Sequence, residues 1–239
     1  MKAILLAAGL GLRLRPITNS IPKCLVPIQG RPLLEVWMEQ LTRHGVGSLL
    51  INTHYLPDKV HECVAASPHR DQVTLVHEPE LHGTAGTVWA NRDWIGNEPF
   101  MLIHADNLCL CDFSSFIQAH QARPARAVLT MMIFETTSPE TCGIVGIDQE
   151  GMITAMHEKS PTVNGTTANA AVYIAEPEIL DLGNWSICPP SDFSTEVIPS
   201  LMGSIYAWEN KGFHEDIGTP DKYNKSIQDV QRHVLWHCD

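Results

Sequence analysis

The sequence predicts an α/β fold in which parallel strands are joined by helical crossovers, and three observations predict it. The chain opens on an apolar run, Lys2 to Ala7, that ends at glycine, as expected of a central strand covered on both faces. Short apolar runs then alternate with segments of helical periodicity through roughly the first 110 residues, the pattern of βαβ units. At 239 residues and 44% hydrophobic composition the chain can bury one large core, so a single domain over residues 1–239 is expected.

A loop rich in Gly, Arg and Pro follows the opening strand. Pro32 stands where a helix begins, Leu33, Leu34, Trp37 and Leu41 recur at helical spacing, and Gly45 closes the pattern as a C-cap. Ser48 to Asn52 is the next strand, Pro57 to Ala66 a helix, Val73 to His77 a strand, Ala85 to Trp94 a helix and Phe100 to His104 a strand. Beyond Asp112 a helix and the strand Ala127 to Phe134 continue the rhythm, and then it changes to shorter extended pieces. Ile144 to Ile147 and Met152 to His157, separated by Asp148, Gln149, Glu150 and Gly151, predict a hairpin. Ala170 to Ala175 is a further strand, Thr195 to Met202 a helix, and Thr219 to His233 a terminal helix with Pro220 near its start. No internal repeat or low-complexity tract interrupts the chain.

Composition narrows the function. No stretch approaches the roughly 18 to 20 apolar residues that span a bilayer. Gly9, Gly11, Arg13 and Arg15 follow the first apolar run too soon for a signal peptide, so a soluble, cytoplasmic protein is expected. The seven cysteines form no CxxC pair, which favours reduced thiols over a disulfide framework. A formal charge of -11 without a Lys/Arg cluster argues against a nucleic-acid surface, so an anionic ligand must be held by local positive groups. His104, His157 and His214 lack the spacing of a zinc site, and twelve histidines make chance groupings common, so they read as core or rim residues.

The segment LAAGLGLRLRPIT, Leu6 to Thr18, places Gly9 and Gly11 just after a buried strand, where bare backbone amides can approach a phosphate chain. A dinucleotide-binding loop would need glycine or alanine at Leu14 and a helix opening there, which Pro16 forbids. Arg13 adds a charged fork able to grip two phosphate oxygens, and Lys23 a compact charge shortly after. Asp106 follows a buried strand at its C-terminal end, the edge at which open α/β sheets bind ligands.

LAAGLGLRLRPIT followed by IPKCLVPIQGRPLLE resembles the signature loop of the sugar nucleotidyltransferases. Further segments fall in that family's order: EPELHGTAGT (Glu78 to Thr87), HADN (His104 to Asn107), CGIVGID (Cys142 to Asp148), HEKSP (His157 to Pro161), NAAVYI (Asn169 to Ile174) and FHEDIGTP (Phe213 to Pro220). The resemblance spans almost the whole chain. It departs from the usual pattern at Leu12, Ala105, Ala171 and His214, none of which is a charged catalytic position.

The resemblance implies a three-layer α/β/α, Rossmann-like nucleotidyltransferase fold with a mixed, mainly parallel central sheet. The nucleotide falls to about residues 1–110 and the sugar phosphate to about 111–239, with the terminal helix closing the chain without a regulatory extension. It implies a catalytic set of Arg13, Lys23 and Asp106. Leu6, Ala8, Gly9, Gly11, Arg13 and Lys23 would lie along the nucleotide, and Gly83 and Thr84 against its base and ribose. Gly143, Glu158, Lys159 and Asn169 would meet the sugar phosphate. The plain alternatives are a helix N-terminus capped by Thr84 and a surface ion pair of Glu158 and Lys159. Asp106 and Asp216 would hold a divalent ion, and two carboxylates with few other protein ligands suit Mg²⁺. The expected substrates are a nucleoside triphosphate, GTP first, and a sugar 1-phosphate, mannose 1-phosphate first. Thymidylyl or uridylyl transfer to another hexose 1-phosphate is the alternative, as is a catalytically silent nucleotide-sugar sensor. Oligomeric state, including a homo-oligomer, is left open.

Overall fold

The computed structural model describes residues 1–159, 165–182 and 189–230. Ser160 and Pro161 of the HEKSP segment, and the end of the expected terminal helix beyond Val230, lie outside them. The chain forms two compact units, each assembled from separate stretches: Met1–Ile4, His82–Ile103 and Asp112–Lys211 in one, and Leu5–Leu81, His104–Cys111 and Gly212–Asp239 in the other. The opening strand, Lys2–Leu6, contributes residues to both.

In the unit that holds Leu5–Leu81, the expected elements appear nearly as read. The helix Leu33–Arg43 buries Leu33, Leu34, Trp37, Met38 and Leu41, and it ends at Gly45, whose φ of +81° is the left-handed conformation a Cβ disfavours. There Gly45 N–H bonds to Thr42 O and Val46 N–H to Leu41 O, which satisfies the last carbonyls of the helix. The strands Ser48–Thr53 and Val73–His77 run parallel, with Leu49 opposite Val73 and Asn52 opposite Val76. The helix Pro57–Ala66 crosses between them, with proline in its first turn where no donor is lost. A short antiparallel pair, Leu108–Leu110 with Phe213–Glu215, and the helix Pro220–Val230 complete the unit.

The other unit is organised around the strand Thr167–Ala175. It pairs antiparallel with Phe100–His104, with Leu129–Glu135 and, at Ala168, with Gly143–Ile147. Gly143–Ile147 and Ile153–Glu158 form the expected hairpin, whose turn is held by Asp148 Oδ1 accepting from Glu150 and Met152 N–H. Ile205–Glu209, which the sequence reading had not assigned, runs parallel to Leu129–Glu135. The fold is thus a mixed sheet with helices. Antiparallel strands enter where alternation alone predicted parallel ones, because apolar runs covered on both faces read alike in either direction.

Two helices differ from their expected form. The segment expected as one helix from Ala85 to Trp94 is divided into Gly83–Ala90 and Arg92–Ile95, with Asn91 Nδ2 taking the Thr87 carbonyl at 2.8 Å. Thr195 to Met202 is not one α-helix but a π-helical turn, Phe193–Val197, followed by the short Ile198–Ser200 helix. Pro199 has no N–H to offer the Thr195 carbonyl, so the regular ladder cannot continue.

Candidate active site

Four sequence-predicted residues converge in the unit containing Leu5–Leu81. Lys23 lies in a tight turn, Lys23–Leu25, that buries its side chain to 8% exposure. Its Nζ donates to Asp106 Oδ2 at 2.9 Å and Asp216 Oδ1 at 3.3 Å. Arg13 Nη2 stands 3.9 Å from Asp216 Oδ2 and is otherwise exposed. The two carboxylates therefore meet at a single cation, with a second cation at the rim.

Local structure sets each position. Asp106 sits in the turn after Phe100–His104, held by Asn107 N–H to His104 O and by Trp37, whose Nε1 donates to the Asn107 carbonyl at 3.0 Å. The indole anchors the turn through its polar edge while its rings fill the core. Asp216 follows Phe213–Glu215, whose pairing with Leu108–Leu110 fixes it relative to Asp106. Gly218 lies close beside them: a Cβ there would stand 2.9 Å from Asp216 Oδ1 and 3.0 Å from Arg13 Nη2, so both side-chain ends would have to shift.

The glycine loop is built from the same unit. Leu6 and Ala8 are buried, and Ala7 N–H donates to Asn52 Oδ1 at 2.7 Å. Gly11 has φ +61°, and its carbonyl accepts from Thr18 Oγ1 at 2.7 Å, which folds the loop back on itself. A Cβ on Gly9 would meet nothing within 4 Å, so its backbone faces open space. Asn52 also donates to the buried Glu78 at 3.0 Å, tying the glycine loop to the start of the EPELHGT segment. The sequence reading missed Asn52 and Glu78, although two polar residues ending apolar strands were the available signal.

Electrostatics fixes the protonation of the cluster. Burial works against the charge on Lys23, but Asp106 and Asp216 outweigh it and hold its pKa above the ordinary range. Burial likewise opposes the Asp106 carboxylate, but Lys23, then His104, pull its pKa below the usual value. Lys23 is thus a fixed positive charge at neutral pH rather than a base. The depressed Asp106 contributes stability above its ordinary value of 3.8, lost as pH falls through the folded value. The raised Lys23 contributes below 10.5, lost as pH rises through its folded value. Lys23→Met is expected to lower the urea midpoint by a constant amount between those limits, with the gap to wild type closing in stronger acid and stronger alkali. A gap independent of pH from 2 to 12 would rule out the ion pairs as its source.

In the other unit, Gly83 and Thr84 meet the segment Ser191–Phe193, which the sequence reading did not single out. Gly83 has φ +78°, and a Cβ there would lie 2.2 Å from the Ser191 carbonyl oxygen. Ala85 N–H donates to that same oxygen at 3.1 Å. Thr84 does not cap the helix: the N-cap position belongs to His82, while Thr84 Oγ1 accepts from Phe193 N–H at 2.7 Å and donates to Asp192 at 3.4 Å.

Gly143, Glu158, Lys159 and Asn169 also belong to this unit. A Cβ on Gly143 would stand 2.6 Å from Glu158 Oε2, so the missing side chain makes room for that carboxylate. Glu158 pairs with Lys159 at 3.2 Å, and Lys159, at φ +46° and 62% exposed, projects its ammonium toward solvent. Asn169 Oδ1 accepts from Ala171 N–H at 2.9 Å, and its Nδ2 donates to the buried Tyr173 hydroxyl at 2.8 Å. Ala171 lies at φ +55° where the strand pairing is interrupted, a cost the asparagine bond helps to offset.

Comparison with known proteins places the chain in a family. The family model described as "Nucleotidyl transferase" matches residues 2–233. Among curated relatives, mannose-1-phosphate guanyltransferase beta-A of Xenopus laevis is 29% identical over 99% of this chain and 68% of its own length. The mannose-1-phosphate guanylyltransferase catalytic subunit beta of Danio rerio is 30% identical over 93% of this chain, which spans 62% of that relative. Among solved structures, HddC from Yersinia pseudotuberculosis complexed with GMP-PN superposes with a TM-score of 0.78 at 26% identity, covering 96% of this chain and 99% of that one. Among the described residues no helix is long and apolar enough to cross a membrane.

Proposed function

The chain belongs to the nucleotidyl transferase family, and from that premise we propose that it joins GTP to mannose 1-phosphate, forming a nucleoside diphosphate sugar and releasing pyrophosphate. The observation that carries the reading is the meeting of Asp106 and Asp216 at Lys23 Nζ, with Arg13 beside them. Such a cluster suits phosphoryl chemistry, in which positioning and charge stabilisation do most of the work. The names of the curated relatives and the HGTAGT segment favour guanosine and mannose within the class.

The attacking group is a phosphate monoester whose second pKa is near 6, so it is already largely ionised at neutral pH and needs no general base. The obstacle is repulsion. Two unit like charges about 4 Å apart cost about 1 kcal/mol in water and about 4 at an effective dielectric of 20. Lys23, kept protonated by its two carboxylates, and Arg13, with its five donors, lower that repulsion at the triphosphate. Lys159 is the matching cation for the sugar phosphate, and Glu158 and Asn169 are acceptors and donors for sugar hydroxyls. Gly9 and Gly11 offer backbone N–H groups that a side chain would cover.

The donor set also fits a divalent cation. Asp106 and Asp216 present hard carboxylate oxygens that converge on one positive centre, the chemistry that selects Mg²⁺ and leaves its other positions to water and phosphate. Bound there, Mg²⁺ would supply charge neutralisation at the phosphate oxygens.

The test is pyrophosphate release with Mg²⁺, with GTP, UTP, dTTP, CTP and ATP offered against a panel of sugar 1-phosphates. Turnover with GTP and mannose 1-phosphate above all other pairs is the expected result. A preference for dTTP or UTP with another hexose 1-phosphate would move the substrate assignment. Silence across the panel with nucleotide sugars still binding would favour a sensor.

A further inference from the structure

Tyr173 is fully buried, and two lines of contact meet at its side chain within one unit. On one side it accepts from Asn169 Nδ2 at 2.8 Å, and Asn169 in turn holds the left-handed Ala171. On the other, the Tyr173 ring packs on Phe193 with centroids 5.1 Å apart. Phe193 opens the π-helical turn Phe193–Val197, a distortion of the kind that often marks a working segment. Phe193 N–H and Asp192 hold Thr84, and the Ser191 carbonyl, bonded to Ala85, leaves no room for a side chain on Gly83.

The turn is stiffened from outside. Ser191 Oγ donates to Glu196 Oε1 at 2.6 Å, Asp192 N–H donates to the same oxygen at 3.1 Å, and Asp192 Oδ1 accepts from Thr195 N–H at 2.8 Å. Motion at Thr84 must therefore be taken up by the turn as a body or passed to Tyr173. Burial, with the nearby charges of Glu158 and Asp192, pushes the Tyr173 phenol well above its ordinary range, against the hydrogen bond from Asn169. It remains a neutral hydroxyl at every working pH.

We infer that Tyr173 is a positioning residue that couples the two ligands: its ring, packed on Phe193, and its hydroxyl, bonded to Asn169, link the turn gripping Gly83 and Thr84 to the strand break that presents Asn169. The inference rests on the proposed assignment of Gly83 and Thr84 to the nucleotide and of Asn169 and Glu158 to the sugar phosphate. A nucleotide seated on Thr84 fixes the turn, the turn fixes Tyr173, and Tyr173 holds the Asn169 amide ready for the sugar. By reciprocity the sugar phosphate tightens the nucleotide by the same factor.

The experiment is calorimetric titration of mannose 1-phosphate with Mg²⁺, in the absence and presence of saturating α,β-methylene GTP. In wild type the nucleotide analogue should tighten sugar-phosphate binding about fivefold or more. Tyr173→Phe keeps the ring on Phe193 and removes only the hydroxyl; the coupling factor should fall to about twofold or less while affinity for the analogue alone is unchanged. A wild type that binds both ligands without coupling, or a Tyr173→Phe variant that keeps the wild-type factor, would overturn the inference alone. Failure of wild type to bind either ligand would overturn the functional reading, and the inference with it.

Discussion

Asp106→Asn is expected to lower the rate of pyrophosphate release by about a thousandfold at saturating Mg²⁺, because the loss of one of the two proposed metal carboxylates removes several kcal/mol of charge stabilisation at about 1.4 kcal/mol per tenfold. The substitution keeps the shape of the side chain and an oxygen that can still accept from Lys23, 2.9 Å away in the native protein. Lys23 also keeps Asp216. The fold should therefore survive, with a thermal midpoint within a few degrees of wild type. The loss should fall on kcat rather than on KM for mannose 1-phosphate, whose proposed partners Glu158, Lys159 and Asn169 are untouched. A variant that retains more than a tenth of the native rate, across a titration of Mg²⁺, would end the case for Asp106 as a metal ligand.

Gly83→Ala tests the other unit, with a built-in comparison. Alanine at Gly83 incurs the cost of a left-handed backbone, about 1–2 kcal/mol, and the displacement of a carbonyl oxygen only 2.2 Å from its Cβ, about 1–3 kcal/mol more. Gly203 has nearly the same φ, +82°, but a Cβ there meets nothing within 4 Å, so Gly203→Ala carries the backbone term alone. Denaturant unfolding should therefore show Gly83→Ala as the more destabilised by about 1–3 kcal/mol. Because the displaced Ser191 carbonyl also bonds Ala85, the same substitution should raise KM for GTP about tenfold or more, while Gly203→Ala leaves it unchanged. Equal destabilisation of the two variants would show that the loop yields without strain.

Sequence alone reveals what is local. The apolar run into Gly9, the helix ending at Gly45 and the hairpin around Gly151 were readable because each signal lies within a dozen residues of its consequence. Asp106 was readable for the same reason, as an acidic residue ending a buried strand. Asp216 was not, since nothing in its own neighbourhood points to Lys23, which lies 193 positions away; only the family resemblance joined them. The segment Ser191–Phe193 escaped notice because its serine and aspartate look like an ordinary helix start. Asp192 does accept from Thr195 N–H, yet the neighbouring backbone is committed to Thr84 and Ala85. Asn169 was read as a sugar contact from its motif, but its structural work on Ala171 and Tyr173 required the strand register to be seen.

The unit that contains Lys23 is closed by its last stretch, Gly212 onward, which brings Asp216 to the lysine and Tyr223, whose hydroxyl donates to the Pro27 carbonyl at 2.7 Å. During synthesis, Lys23 and Asp106 can meet as soon as the Asp106 turn leaves the ribosome, but their partner emerges more than a hundred residues later. Until then the nascent chain carries a lysine with half its counter-charge. The Lys23 cluster is therefore completed only once Asp216 has emerged, long after its first two members.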